Sequence, residues 1–149
     1  MKILFLHGLE SSSNSTKATF LRGKGHEVIA PELDRDDWEQ SVLAARQALA
    51  AHEPDVVVGS SRGGAVAMAA RPSVPLVLVA PAWVKYAPWA TVSGRTTVIH
   101  SRDDEVIPYE ESEKLQKIFG VNLVEAGMSH RMGDFDALAA ILHACEVAT

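Results

Sequence analysis

The sequence holds one serine in a pattern that suits a nucleophile. Ser61 is the centre of a Gly-x-Ser-x-Gly motif, with an apolar run at 55–58 before it and an Ala-rich stretch at 65–70 after it. This order predicts a strand, a sharp turn and a helix, which would hold the hydroxyl out at the tip of a sheet. The helix would also direct its N-terminal N–H groups and positive dipole end at the same point. The alternative is a serine in an ordinary structural turn.

A serine nucleophile needs a base within hydrogen-bond reach. The chain has six histidines. His130 follows the last predicted strand in a short loop, from which it can reach back over the sheet edge, and it is our choice of base. His100 ends a strand and is interpreted as structural. His26, His52 and His143 are interpreted as surface or packing residues. His7 follows the first strand and is considered separately below.

The third member of such a site is a carboxylate that fixes the tautomer of the imidazole. Two adjacent aspartates, Asp103 and Asp104, follow the strand predicted at 96–100. We choose Asp104, because the Ile107-Pro108 pair behind it provides a hydrophobic anchor and a helix start. Asp103 remains an alternative, and an acidic turn that only caps the next helix is the structural interpretation.

Alternating strands and helices are predicted along the whole chain. The strands are expected at 2–6, 27–30, 55–58, 76–80, 96–100 and 121–125, and the helices at 17–22, from 36 or 37 to 51, at 65–70, 108–119 and 135–147. The strands are apolar throughout, which predicts a parallel sheet covered on both faces, hence a three-layer α/β/α fold. His7, Ser61, Asp104 and His130 each follow a strand, so they are expected at one sheet edge, where ligands bind in such folds.

Composition limits the possible functions. At 149 residues the chain is expected to form a single domain spanning 1–149. A net charge of −5 with scattered basic residues argues against nucleic acid as a partner. Neither a transmembrane span nor a signal peptide is apparent, so no membrane partner and a cytoplasmic location are expected. The single cysteine, Cys145, cannot form an internal disulfide, and no zinc-ligand spacing or other cofactor motif is present.

The chain order Ser61, Asp104, His130 resembles that of the α/β-hydrolase superfamily. The sequence looks like a small, cap-less serine esterase of that superfamily over nearly its whole length. The resemblance implies six parallel strands in the order 2-1-3-4-5-6, a minimal form of the fold without a lid domain. It also implies that the segment beginning at His7-Gly8 donates to an oxyanion hole, with one backbone N–H from Leu9 and the other from Arg62.

The expected function is therefore hydrolysis of small, short-chain acyl esters through a Ser-His-Asp triad and an acyl-enzyme, with no cofactor or metal. The short segment 81–95 is expected to contact substrate and leaves little apolar surface for a long chain. Its aromatic residues and one methionine from the loop after the last strand are the candidates for this contact: Trp83, Tyr86, Trp89 and Met128. Ordinary packing is the alternative for each aromatic residue.

Other functions fit the same pattern. The triad could cleave thioesters, amides or carbon–carbon bonds, and the fold could serve a non-catalytic binding protein. Nucleotide binding is disfavoured, because the glycines around Ser61 match neither P-loop nor dinucleotide-binding spacing. Two exposed edge strands allow either a monomer or a homodimer.

Overall fold

The computed structural model describes residues 1–9 and 11–149 and contains a six-stranded parallel sheet in the order β2-β1-β3-β4-β5-β6. The strands are β1 (Lys2–Leu6), β2 (Glu27–Ile29), β3 (Val56–Ser60), β4 (Leu76–Val79), β5 (Thr96–His100) and β6 (Asn122–Glu125). The helices are α1 (Thr16–Gly23), α2 (Trp38–His52), α3 (Arg62–Ala70), α4 (Trp83–Tyr86), α5 (Tyr109–Phe119) and α6 (Phe135–Ala148). This arrangement confirms the predicted fold and strand order.

Helices cover both faces of the sheet. On one face, α2, α3, α4 and α5 pack against alternate strand residues such as Leu4, Val57 and Leu78. On the other face, α1 and α6 pack against the intervening residues, such as Phe5 and Val58. Because both faces are buried, the central strands are continuously apolar, whereas the edge strands β2 and β6 are partly exposed.

Local sequence signals set the ends of several helices. The Asp37 side chain accepts a hydrogen bond from the N–H of Gln40 and caps α2, as one of the two predicted caps. Gly120 ends α5 in the left-handed conformation, with φ of 71°. These contacts satisfy backbone groups that have no partner inside the helix.

Two elements differ from expectation. Helix α3 begins at Arg62, three residues earlier than predicted, because the turn at Ser61 leads directly into the helix. The segment 81–95 was expected to be a loop, but it contains the single-turn helix α4. Backbone hydrogen bonds close this turn, from Tyr86 N–H to Ala82 O and from Ala87 N–H to Trp83 O.

No helix within the described ranges, 1–9 and 11–149, is long and apolar enough to cross a membrane.

Candidate active site

Ser61 lies on a strained turn between β3 and α3. Its φ is 55° and its ψ is −117°, a backbone conformation that residues other than glycine rarely adopt. Neighbouring segments hold the turn: the Ser61 N–H donates to Val79 O, and Ser61 O accepts from the N–H groups of Gly64 and Ala82. The surrounding structure thus stabilises a conformation that aims the side chain away from the sheet.

The two glycines of the motif are required by close backbone approach. A Cβ on Gly63 would lie 2.1 Å from Leu6 O and 2.5 Å from His7 O. A Cβ on Gly59 would lie 2.6 Å from the Gly63 backbone oxygen. No side chain fits either place, so the motif allows strand β3, strand β1 and helix α3 to meet beneath Ser61.

Three side chains from distant loops form a continuous hydrogen-bonded chain. The Ser61 hydroxyl lies 2.9 Å from His130 Nε2, and His130 Nδ1 lies 2.8 Å from Asp104 Oδ2. An ionised carboxylate can only accept, so Nδ1 carries the hydrogen and Nε2 is left to accept the serine proton. The arrangement has the geometry of a nucleophile, its base and the group that orients the base.

The Asp104 carboxylate is fully buried and holds four hydrogen bonds. Oδ2 accepts from both His130 and His100, and Oδ1 accepts from the N–H groups of Val106 and Ile107. Burial alone would raise the pKa of this carboxyl, but the hydrogen bonds from His100, His130 and the two backbone N–H groups outweigh it and hold the pKa well below its usual range. Asp104 therefore stays charged.

Asp103, the alternative acid, is placed differently. It lies exposed on the turn after β5, where its backbone N–H donates to Ser101 Oγ. The carboxylate that contacts His130 is that of Asp104. The turn between Asp104 and Ile107 explains why Asp104 is the buried carboxylate. The turn buries Ile107 and also brings two backbone N–H groups onto Asp104 Oδ1.

His100 belongs to this cluster, although the sequence interpretation treated it as structural. Its Nε2 lies 3.0 Å from Asp104 Oδ2, and its ring has no solvent exposure. His100 ends a strand four residues before Asp104, and this spacing could have indicated that the two side chains are in contact. It was missed because a buried histidine at a strand end is also a common packing residue.

Hydrogen bonds from several parts of the chain hold the loop that carries His130. The His130 N–H donates to Glu105 Oε2, Ser101 Oγ donates to Gly127 O, and Lys17 Nζ donates to Arg131 O. Lys17 was not singled out from the sequence. Its burial, together with the positive charge of Arg131, lowers its pKa to about 8. These contacts fix the loop in the position that brings the imidazole to Ser61.

Two residues are expected at an oxyanion hole: Arg62 directly follows Ser61, and Leu9 follows Gly8, which packs beside Ser61. Arg62 begins α3, so its N–H is one of the donors that have no partner inside the helix. Gly8 packs beside Ser61, since a Cβ on it would lie 3.3 Å from Ser61 Cβ. The N–H of Leu9 belongs to the peptide group that follows Gly8. Arg62 is thus next to the serine in the chain, and the peptide group that carries the Leu9 N–H follows a residue that packs against the serine.

The His7 ring orients this peptide group. His7 Nε2 accepts from the Leu33 N–H at 2.9 Å, so Nδ1 carries the hydrogen and donates to Gly8 O at 2.7 Å. In a trans peptide the carbonyl and the following N–H point in opposite directions. The Leu9 N–H is consequently turned away from the His7 ring.

The predicted substrate-contact residues do not form one wall. Trp83 lies in the core, where its indole N–H donates to Glu111 O, so this residue packs the fold as its alternative interpretation proposed. The Tyr86 ring stacks on Trp38, with centroids 5.6 Å apart, and the Trp89 ring meets Trp38 edge-on. Trp83 is thus a core residue, whereas the rings of Tyr86 and Trp89 both contact Trp38 of α2, and contact of these residues with substrate stays a prediction.

Met128 and the Arg62 side chain have different surroundings. Met128 is exposed and borders an open cavity of about 310 Å³, lined also by Thr16, Ser129, Arg131, Gly133 and Asp134. The Arg62 guanidinium is buried against Trp38 and Tyr86, and it donates to Ser41 Oγ and Asp34 O. The Arg62 side chain therefore anchors α2 and leaves only its backbone beside Ser61.

The described part of the chain contains no group of three or more His, Cys, Asp or Glu side chains that could hold a metal ion. The groups that the structure brings together at this edge include the Ser61 hydroxyl, the imidazoles of His130 and His100, and the Asp104 carboxylate.

Comparison with known proteins places the fold and the family. The model of the uncharacterised protein family UPF0227 matches residues 2–97, and the chain belongs to that family. No functionally curated protein shows significant sequence similarity.

Several solved structures share the fold. A Xanthomonas campestris protein assigned to the alpha/beta hydrolase superfamily has 21% identity and a TM-score of 0.78, over 99% of this chain and 96% of that chain. The ydeN gene product from B. subtilis has 15% identity and a TM-score of 0.76, over 98% of each chain. An esterase domain from Rhodothermus marinus has 18% identity and a TM-score of 0.71, over 99% and 85%. The chain thus has the α/β-hydrolase fold.

Proposed function

We propose that the protein is a serine hydrolase that cleaves small, short-chain acyl esters through an acyl-enzyme. The observation that carries the proposal is the hydrogen-bonded chain from Ser61 Oγ through His130 to the buried Asp104 carboxylate. Ser61 lies on a turn with positive φ, between a buried strand and a helix N-terminus, and this position supports a reactive hydroxyl over a structural one.

The mechanism follows from the protonation states. His130 Nε2 takes the hydroxyl proton as Ser61 Oγ attacks the acyl carbonyl, and Asp104 stabilises the imidazolium. The backbone N–H groups of Leu9 and Arg62 receive the negative charge that develops on the carbonyl oxygen, each worth about 3–4 kcal/mol in such sites. His130 then protonates the leaving alcohol and later deprotonates the water that releases the acid.

The preference for short acyl chains rests on the small amount of polypeptide that covers the site. Between β4 and β5, where larger members of the fold can insert a lid, segment 81–95 forms a single helical turn with Trp83 buried in the core. A p-nitrophenyl ester series should therefore favour C4 over C16; equal turnover of the two would refute this preference.

A fluorophosphonate probe tests the nucleophile directly. We expect labelling of the wild type and of Ser60→Ala, and none of Ser61→Ala. Ser60 is the matched control, because it is an adjacent serine at the end of β3. An unlabelled wild type would point to a non-catalytic protein on this fold. A panel of esters, acyl-CoA thioesters and amides then separates ester hydrolysis from the other bonds that a triad can cleave.

A further inference from the structure

Two imidazoles donate to one carboxylate oxygen in this site. His130 Nδ1 lies 2.8 Å and His100 Nε2 lies 3.0 Å from Asp104 Oδ2. The His100 ring and the Asp104 side chain are both without solvent exposure. The mechanism proposed above uses only the first of these hydrogen bonds, so the second needs its own account.

The protonation of His100 follows from its neighbours. Nε2 faces two acceptors, Asp104 Oδ2 and Ile107 O at 3.1 Å, and must carry a hydrogen. Nδ1 lies 2.6 Å from the hydroxyl oxygen of Ser112, which is also fully buried. A hydroxyl can donate to a neutral ring nitrogen. His100 can therefore be satisfied as the neutral Nε2–H tautomer, and this form avoids burying a second cation next to the imidazolium that forms on His130.

We propose, on the premise of the function proposed above, that His100 is a positioning residue that tunes His130 through Asp104. Its hydrogen bond holds Oδ2 in line with His130 Nδ1. It also takes up part of the carboxylate's capacity to accept, which weakens the attraction between Asp104 and a protonated His130. His130 consequently remains an unprotonated base at lower pH than it would beside an otherwise free carboxylate.

Other charged groups near the two rings stay the same in every variant of the test. Asp104, Tyr109 and Glu111 surround His100, with ring centroids 5.5 Å apart for His100 and Tyr109. Glu105 accepts from the backbone N–H of His130. Since none of these groups is altered, a change in His130 titration between variants reports on the donor at position 100.

The test compares His100→Leu, which removes the donor, with His100→Gln, whose amide can replace Nε2–H. In His100→Leu the NMR titration midpoint of the His130 ring should rise by about 0.5 unit or more, and the acidic limb of the kcat/KM profile should move with it. The value of kcat should fall about tenfold with KM little changed, because a displaced carboxylate misaligns the base. His100→Gln should stay close to wild type in both measurements.

Several results would overturn the proposal. Identical His130 titration in the wild type and both variants would show that His100 only packs the core. Nitrogen-15 spectra of the unaltered protein that show His100 as the Nδ1–H tautomer would do the same, even if His100→Leu fails to fold. These NMR readouts need no substrate, so they remain decisive if the wild type is not labelled by fluorophosphonate and the proposed function itself fails.

Discussion

Replacing Asp104 by asparagine isolates the charge of the buried acid. Asparagine has nearly the same shape, but one of its two terminal atoms becomes an NH2 group. If the new side chain directs that group at the histidines, it meets Nδ1–H of His130, which is a donor. His130 can then pair only by moving its hydrogen to Nε2, where it faces Ser61 Oγ as a donor and can no longer accept the proton.

The alternative orientation of the amide is also unfavourable. It would direct the NH2 group at the backbone N–H groups of Val106 and Ile107, which currently donate to Oδ1. The backbone N–H groups cannot move their hydrogens, whereas the two imidazoles that face Oδ2, those of His130 and His100, can each change tautomer, so the first orientation should prevail. We therefore expect kcat to fall by about 10⁴-fold, the loss found when a triad aspartate becomes asparagine. This corresponds to about 5.5 kcal/mol of transition-state stabilisation.

The assay is hydrolysis of p-nitrophenyl butyrate at pH 8, with Asp103→Asn as the matched control. Asp103 is adjacent and exposed, so its change should alter kcat by less than about threefold. Circular dichroism checks that both variants are folded. The reasoning is refuted if Asp104→Asn retains activity within tenfold of wild type, or if Asp103→Asn is the more damaging change.

Three further predictions concern stability and reactivity. Gly63→Ala should lower the free energy of unfolding in urea by about 3 kcal/mol or more, because its Cβ meets Leu6 O at 2.1 Å. Gly94→Ala, which meets nothing within 4 Å, should change it by less than about 0.5 kcal/mol; equal losses would contradict the packing argument. Burial lowers the pKa of Lys17 from 10.5 to about 8, so the unfolded chain binds more protons between these values and stability should rise with pH there. Lys17→Met should remove that rise, and an unchanged slope would count against it. Burial raises the pKa of Cys145 to about 12, so iodoacetamide at pH 8 should label only unfolded protein; rapid labelling of the native state would disprove this.

The sequence predicted those features that have local causes. Each strand was recognisable from an apolar run bounded by turn residues. The cap of α2 was narrowed to Asp36 or Asp37 from their position before an amphipathic stretch, and the structure shows Asp37. Ser61 was selected from its Gly-x-Ser-x-Gly motif, Asp104 from the Ile-Pro pair behind it and His130 from its loop after the last strand. Their side chains contact one another in the structure.

Features that depend on distant contacts were not predictable in the same way. The hydrogen bond from Lys17 to Arg131 O joins residues 114 positions apart, and nothing near Lys17 in the sequence indicates its burial. The packing of the aromatic residues after β4 could not be predicted for a similar reason, because Trp38, a residue of α2, decides where Tyr86 and Trp89 pack.

The proposed nucleophile and the proposed oxyanion donor depend on the same strand pairing. Strands β1 and β3 pair with Leu6 opposite Gly59, so the residues that follow the two strands begin at the same level of the sheet edge. The absent side chain of Gly63 then lets α3 approach the carbonyl groups of Leu6 and His7, which places Gly8 against Ser61. The approach of Gly8 to Ser61 therefore depends on the pairing of β1 with β3, and a change of register at β1 would separate the two residues without altering either.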